Sequence, residues 1–205
     1  MAERRLDGKT VAILATDGFE EVELTQPREA LEAAGATVRV VSLKPGEIQG
    51  FKHFDRGQKV PVDLVLEEAM SETFDALMLP GGAHNPDRLR VEPKVQAFVR
   101  EFFRAGKPVA AICHAPWILI DAGVAEGRTL TSYRTIRRDL VNAGAEVVDR
   151  EVVVDEGLVT SRQPSDLPAF CAKMIEEFAK GRHEGQAHLF AEHEARPGGS
   201  AVNLM

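Results

Sequence analysis

Cysteine is scarce in this chain of 205 residues. There are two, Cys113 and Cys171, too few for a disulfide framework. Positive charge is also in deficit: 25 Lys+Arg stand against 32 Asp+Glu, a net charge of −7, which argues against a broad nucleic-acid face. No apolar run reaches the roughly 18 residues that a transmembrane helix needs. Met1 to Lys9 has neither the apolar core nor the small-residue cleavage site of a secretory leader. These absences leave a soluble, cytoplasmic protein with free thiols, not engaged with membrane or nucleic acid, as the expectation. What is present is ordinary for a globular domain: 44% hydrophobic and 28% charged residues, enough to bury a core.

The chain alternates between two kinds of segment. Thr10–Ala15, Ala76–Leu79 and Val109–Ile112 are short continuous apolar runs, the pattern of strands covered on both faces. Thr37–Ser42 reads as another strand, and Val152–Val154 with Leu158–Thr160 as a hairpin turned by Asp155-Glu-Gly157. Lys44 to Gly57 reads as loop, and Val60-Pro-Val62 as at most an edge strand. Helices are expected over Glu20–Ala34, Pro93–Ala105, Ala115–Ala122, Ile136–Ala143 and Asp166–Lys180, with Pro27 fitting a first turn better than a helix interior. Strands alternating with such helices predict an α/β fold, a mostly parallel sheet with helices on both faces, over residues 1–181. Residues 182–205 change to Gly, His and Glu and read as a C-terminal appendage packed on the core or on a partner chain. His183, His188 and His193 recur every fifth residue, off any single helical face, so no metal site is read from them.

In open α/β sheets ligands bind beyond the carboxyl ends of the strands. Three such loops carry chemistry: Asp17-Gly-Phe-Glu-Glu-Val-Glu23, Pro80-Gly-Gly-Ala-His-Asn-Pro-Asp87 and Cys113-His-Ala-Pro116. Cys113 falls where a buried strand turns into a helix, whose N-terminus favours a thiolate; it reads either as a nucleophile on an elbow or as a small buried hydrophobe. His114 reads as a base, or through its backbone N–H as an oxyanion donor, or merely as a polar cap. Gly81 and Gly82 either bring free N–H groups beside the sulfur or form a plain tight turn. Glu20, Glu21 and Glu23 suit a helix start in any case, and a carboxyl set against the thiolate must keep its proton. Cys171 shares a helical face with Leu167, Phe170, Met174 and Phe178 and reads as core.

Phe19-Glu-Glu-Val-Glu-Leu24, Leu79-Pro-Gly-Gly82 and Ala111-Ile-Cys-His-Ala-Pro116, followed by Gly127-Arg-Thr-Leu-Thr-Ser-Tyr133, Asn142-Ala-Gly144 and Thr160-Ser-Arg-Gln-Pro-Ser-Asp-Leu167, form an ordered set over about residues 9 to 180. The set resembles the PfpI-type intracellular peptidases, within the class-I-glutaminase-like superfamily that includes protein deglycases and glyoxalase III enzymes. The resemblance implies a flavodoxin-like three-layer sandwich with Cys113 as nucleophile, His114 as dyad histidine and Glu20 as the carboxyl beside the sulfur. It implies Gly82 and His114 as oxyanion donors, with Gly81 and Tyr133 lining the substrate site. It places Asp87 where such relatives carry an acidic residue that reaches the histidine across a subunit interface; here the side chain is one methylene shorter than glutamate. An amidotransferase is disfavoured, because Ser161-Arg-Gln-Pro-Ser165 lacks the late histidine that chemistry needs.

The expected activity is a stress-protective cysteine enzyme acting on reactive carbonyls, free or as protein adducts, with no cofactor or metal. The alternatives are an ATP-independent cysteine peptidase acting on unfolded protein, and a redox-sensing or chaperone protein in which Cys113 is oxidised. A homodimer or higher homo-oligomer is expected.

Overall fold

The computed structural model describes residues 5–195. The chain opens with β1 (Thr10–Leu14), β2 (Phe19–Glu20), α1 (Glu21–Ala33) and β3 (Thr37–Ser42). A hairpin of β4 (Glu47–Lys52) and β5 (Asp55–Pro61) then occupies most of the stretch expected as loop. Its strands are mostly charged and exposed, with Ile48, Gly50 and Val60 buried, and its pairing slips between Gln49 and Phe51. The alternation that marks a half-buried strand is therefore nearly absent from the sequence. After β6 (Leu64–Val65) and β7 (Ala76–Leu79) come α2 (His84–Arg90), inside the expected glycine loop, and α3 (Pro93–Arg104). The chain continues through β8 (Val109–Ile112), α4 (Pro116–Asp121), β9 (Thr129–Leu130), α5 (Arg137–Asn142) and β10 (Glu146–Val147). It closes with β11 (Val152–Asp155), β12 (Leu158–Ser161), α6 (Leu167–Lys180) and α7 (Glu184–Glu194).

Seven strands form one sheet in the order β11-β12-β8-β7-β1-β3-β6, parallel except for the β11–β12 hairpin. Side chains alternate across it, as the pleat requires. Ala12, Leu14, Leu77, Leu79, Val109 and Ala111 face one apolar layer with Phe98, Phe102 and Leu119 of the helices. Val11, Ile13, Ala76, Met78, Ala110 and Ile112 face the other, with Leu24, Leu31, Phe170 and Met174. This is the flavodoxin-like sandwich expected. Among the described residues no helix is long and apolar enough to cross a membrane.

Pro27 lies inside α1, not in its first turn. Its ring has no N–H, so the Glu23 carbonyl one turn back receives no helical bond from it.

Of the expected appendage, residues 196–205, with Val202 and Leu204, lie outside the described residues. The preceding part is α7, which packs on α3. Phe190 is buried in the first apolar layer, with the Arg100 and Arg104 guanidinium groups over its ring at 5.3 and 5.4 Å. The His183 N–H donates to the Gly106 carbonyl at 2.7 Å, and the Gln186 amide donates to the Lys107 carbonyl. Phe190→Ala is expected to lower stability by about 3 kcal/mol through the cavity it leaves. Urea denaturation at constant m measures this; an unchanged midpoint would show that the helix is not part of the cooperative core.

Candidate active site

The sheet register builds the site. Leu79 pairs with Ala111, so two residues further on Gly81 comes to lie beside Cys113, at the carboxyl ends of neighbouring strands. On the other side of β8, Ser161 pairs with Ile112, and its carbonyl accepts the Cys113 N–H at 3.0 Å. Beyond Ile112 the chain cannot continue as strand, because Pro116 opens α4 four residues later. The turn is made at Cys113 itself, in the left-handed region with φ of 64°. A side chain rarely adopts this conformation, which costs on the order of 1–3 kcal/mol and marks functional elbows. Two bonds hold it: the one to Ser161, and the Tyr133 N–H donating to the Cys113 carbonyl at 2.8 Å.

Cys113 is 6% exposed, and its sulfur meets four groups. The backbone N–H groups of Gly82 and His114 and the Glu23 carboxyl lie against it. Nδ1 of His114 lies 3.2 Å away. The carboxyl at the sulfur therefore belongs to Glu23, not Glu20. Glu20 ends β2 just before the helix, and its Oε2 accepts the His53 N–H at 3.0 Å. The sequence carried the signal that separates them: Glu23, Pro27 and Leu31 are spaced one helical turn apart and share the buried face of α1. Glu20 precedes that helix.

Glu23 is fully buried, and burial raises its pKa to about 8. One oxygen, Oε2, accepts the Gly81 N–H at 3.0 Å; Oε1 has no hydrogen-bond partner. A charged oxygen left bare in the interior is costly, so the neutral acid is the form that suits this place. Burial and the neighbouring carboxylate push the Cys113 thiol up in turn. The two cannot both ionise. Once Glu23 holds a proton the repulsion is gone, and its O–H joins the two backbone N–H groups as donors to a thiolate.

Gly81 has to be glycine here. A Cβ on it would stand 2.4 Å from Oε2 of Glu23 and 2.6 Å from Cβ of Cys113. Gly82 has φ of 84°, and its Cβ would meet the Gly18 carbonyl at 2.5 Å. Asn85, which sequence reasoning passed over, is fully buried and ties the rim together. Its Oδ1 accepts the Thr16 N–H at 2.7 Å, and its Nδ2 donates to the Pro80 and Gly81 carbonyls at 2.8 and 3.2 Å. A polar residue at the second position of an unexpected short helix gives no separate sign of this.

The His114 ring is stacked on Tyr133, with centroids 4.8 Å apart, and tilted against Trp117 at 5.4 Å. Its Nε2 lies 3.2 Å from Oγ1 of Thr135. Burial lowers its pKa, so the ring is neutral at pH 7 and able to accept a proton. Asp87 is exposed on α2 and makes no hydrogen bond or ion pair with His114 among the described residues of its own chain. Cys171 is half-buried on α6, and burial alone raises it to about 11.

The profile of the DJ-1/PfpI family matches residues 9–177. The chain belongs to that family. It is 45% identical over 162 residues to a Bacillus subtilis protein named "Putative cysteine protease YraA", covering 79% of this chain and 94% of that one. It is 47% identical over 165 residues to "Deglycase PfpI" of Pyrococcus furiosus, covering 80% and 96%. Among solved structures, Drosophila melanogaster DJ-1beta is similar with a TM-score of 0.77 and 30% identity, over 92% of this chain and 99% of its own. The DJ-1/PfpI match ends within α6, so α7 lies beyond it.

Glu23 makes stability depend on pH with a definite sign. Its folded-state pKa, about 8, lies above the ordinary 4.5, so the folded chain binds the proton more tightly than the unfolded one. The stabilisation is complete below about pH 4.5 and is lost as pH rises through about 8. Glu23→Gln is expected to flatten this slope, a change on the order of a few kcal/mol across the range, while Glu20→Gln keeps it. Thermal melts from pH 4 to 9 decide; a wild-type slope in Glu23→Gln would place the buried proton elsewhere. Limiting iodoacetamide is expected to modify Cys113 before Cys171, read by peptide mass spectrometry, and the reverse order would remove Cys113 from the nucleophile's role.

Proposed function

We propose that this protein is a cysteine-dependent enzyme acting on reactive carbonyls, α-oxoaldehydes or their adducts, of glyoxalase or deglycase type. The observation that carries the reading is the Cys113 sulfur on a left-handed elbow, set among a buried carboxyl, two backbone N–H groups and an imidazole 3.2 Å away. His114 takes the thiol proton at Nδ1. The thiolate adds to the aldehyde carbon, forming the C–S bond and moving the carbonyl π pair onto oxygen. That alkoxide develops beside the N–H groups of Gly82 and His114, as an oxyanion site requires, and recovers the proton from the imidazolium to give a hemithioacetal. A nucleophile on a residue only 6% exposed suits a small electrophile better than a folded chain. The deglycase name borne by the Pyrococcus furiosus relative supports the same reading.

The second reading is an intracellular cysteine peptidase. It is favoured by the 3.2 Å contact between sulfur and imidazole, a nucleophile–base pair suited equally to an amide carbon, and by the name of the Bacillus subtilis relative. In either case we take the protein to be a cytoplasmic, stress-protective homo-oligomer that needs no cofactor.

Methylglyoxal, glycated thiols and unfolded casein offered side by side test the two. Loss of methylglyoxal and release of free thiol are expected, each falling at least about a thousandfold in Cys113→Ala. Casein cleavage faster than either would favour the peptidase. Full activity of Cys113→Ala on all three substrates would end both readings.

A further inference from the structure

His114 needs its far nitrogen held if its near one is to act as a base. Nδ1 faces the sulfur at 3.2 Å, and Nε2 faces Oγ1 of Thr135 at 3.2 Å. The ring between them is fixed in plane by the Tyr133 stack and the Trp117 edge. A neutral imidazole has one N–H and one bare nitrogen, and the partner of one nitrogen sets the state of the other. A hydroxyl that accepts from Nε2–H leaves Nδ1 bare toward the thiol. Within the chain, Nε2 is engaged by this hydroxyl.

We propose that Thr135 is a positioning residue for His114: its hydroxyl accepts the Nε2–H and fixes the tautomer in which Nδ1 takes the Cys113 proton. This deepens the Cys113–His114 reading and rests on it. When the S–H bond breaks and the Nδ1–H bond forms, the imidazolium carries both protons, and Oγ1 keeps Nε2–H paired until Nδ1 returns its proton to the alkoxide. The contact comes from the short helical turn Arg134–Ile136, directly after the segment whose N–H holds the Cys113 carbonyl. Elbow and tautomer are thus set by one stretch of chain. Thr135 is exposed, so its own O–H is left to water and the hydroxyl is free to accept.

The test uses Thr135→Val, which keeps the shape and removes the acceptor, and Thr135→Ser, which restores it. Ring-nitrogen NMR of the whole protein, with the His114 signals assigned by their loss in His114→Gln, is expected to show protonated Nε2 and bare Nδ1 in wild type and Thr135→Ser. Thr135→Val should show mixed tautomers. In the same variant kcat for methylglyoxal should fall roughly fivefold to tenfold, the worth of one hydrogen bond, with KM unchanged. Cys113 alkylation should slow at pH 6 to 7 by a similar factor.

The inference is overturned by a wild-type ring pattern in Thr135→Val, or by a failure of Thr135→Ser to restore it. Failure of the underlying reading is a different result: Cys113→Ala would still consume methylglyoxal. The ring signals would then still decide whether Thr135 sets the tautomer.

Discussion

The backbone at Cys113 is asked to do something an L-residue resists. The sheet delivers Ile112 as strand, Pro116 must begin a helix, and the reversal falls on a residue with a Cβ. That placement costs free energy, and the neighbouring elements are arranged around holding it. The Ser161 carbonyl takes the Cys113 N–H from one side, and the Tyr133 N–H takes its carbonyl from the other. Those two bonds recruit the end of β12 and the loop after β9, so the rim is assembled by the same contacts that keep the nucleophile strained. A glycine at this position would relieve the conformation and remove the chemistry.

The second constraint is space. Strand register sets Gly81 against Cys113, and the absent Cβ lets the Glu23 carboxyl reach the sulfur through a gap that alanine would close. Burial then does the electrostatic work. An exposed carboxyl would be charged at neutral pH and would oppose a thiolate; a fully buried one keeps its proton and donates it. The missing helical bond at Pro27 acts on the same turn of α1, since the carbonyl it leaves without that donor is that of Glu23.

How much of this the sequence discloses depends on how periodic each part is. Apolar runs such as Thr10–Ala15 and Val109–Ile112 disclose the parallel sheet, because a strand covered on both faces has no polar side to disguise it. The β4–β5 hairpin is concealed by the opposite cause: charged and exposed, it is held by backbone bonds that any side chain allows. At the site, Cys113, His114 and the two glycines are visible because they fall at strand ends. Choosing between Glu20 and Glu23 needs the phase of α1, which holds Glu23 on its buried face and begins directly after Glu20, the residue the resemblance implies. Asn85 acts through three hydrogen bonds and Thr135 through one, none of which any spacing announces.

The two faces of the sheet divide the labour. Cys113 belongs with Ile112, Leu24 and Phe170 in one apolar layer, while Phe190 of α7 packs into the other with Phe102 and Phe103. The added helix therefore thickens the layer away from the nucleophile. It reaches the sheet through the Gly106–Lys107 turn that precedes β8, and Cys113 follows the far end of that strand. A strand fixed at its entrance transmits position along its length, because its neighbours fix its register. Packing added at the amino ends of the strands can then stiffen the frame without narrowing access at the carboxyl ends, where strain and buried charge are concentrated.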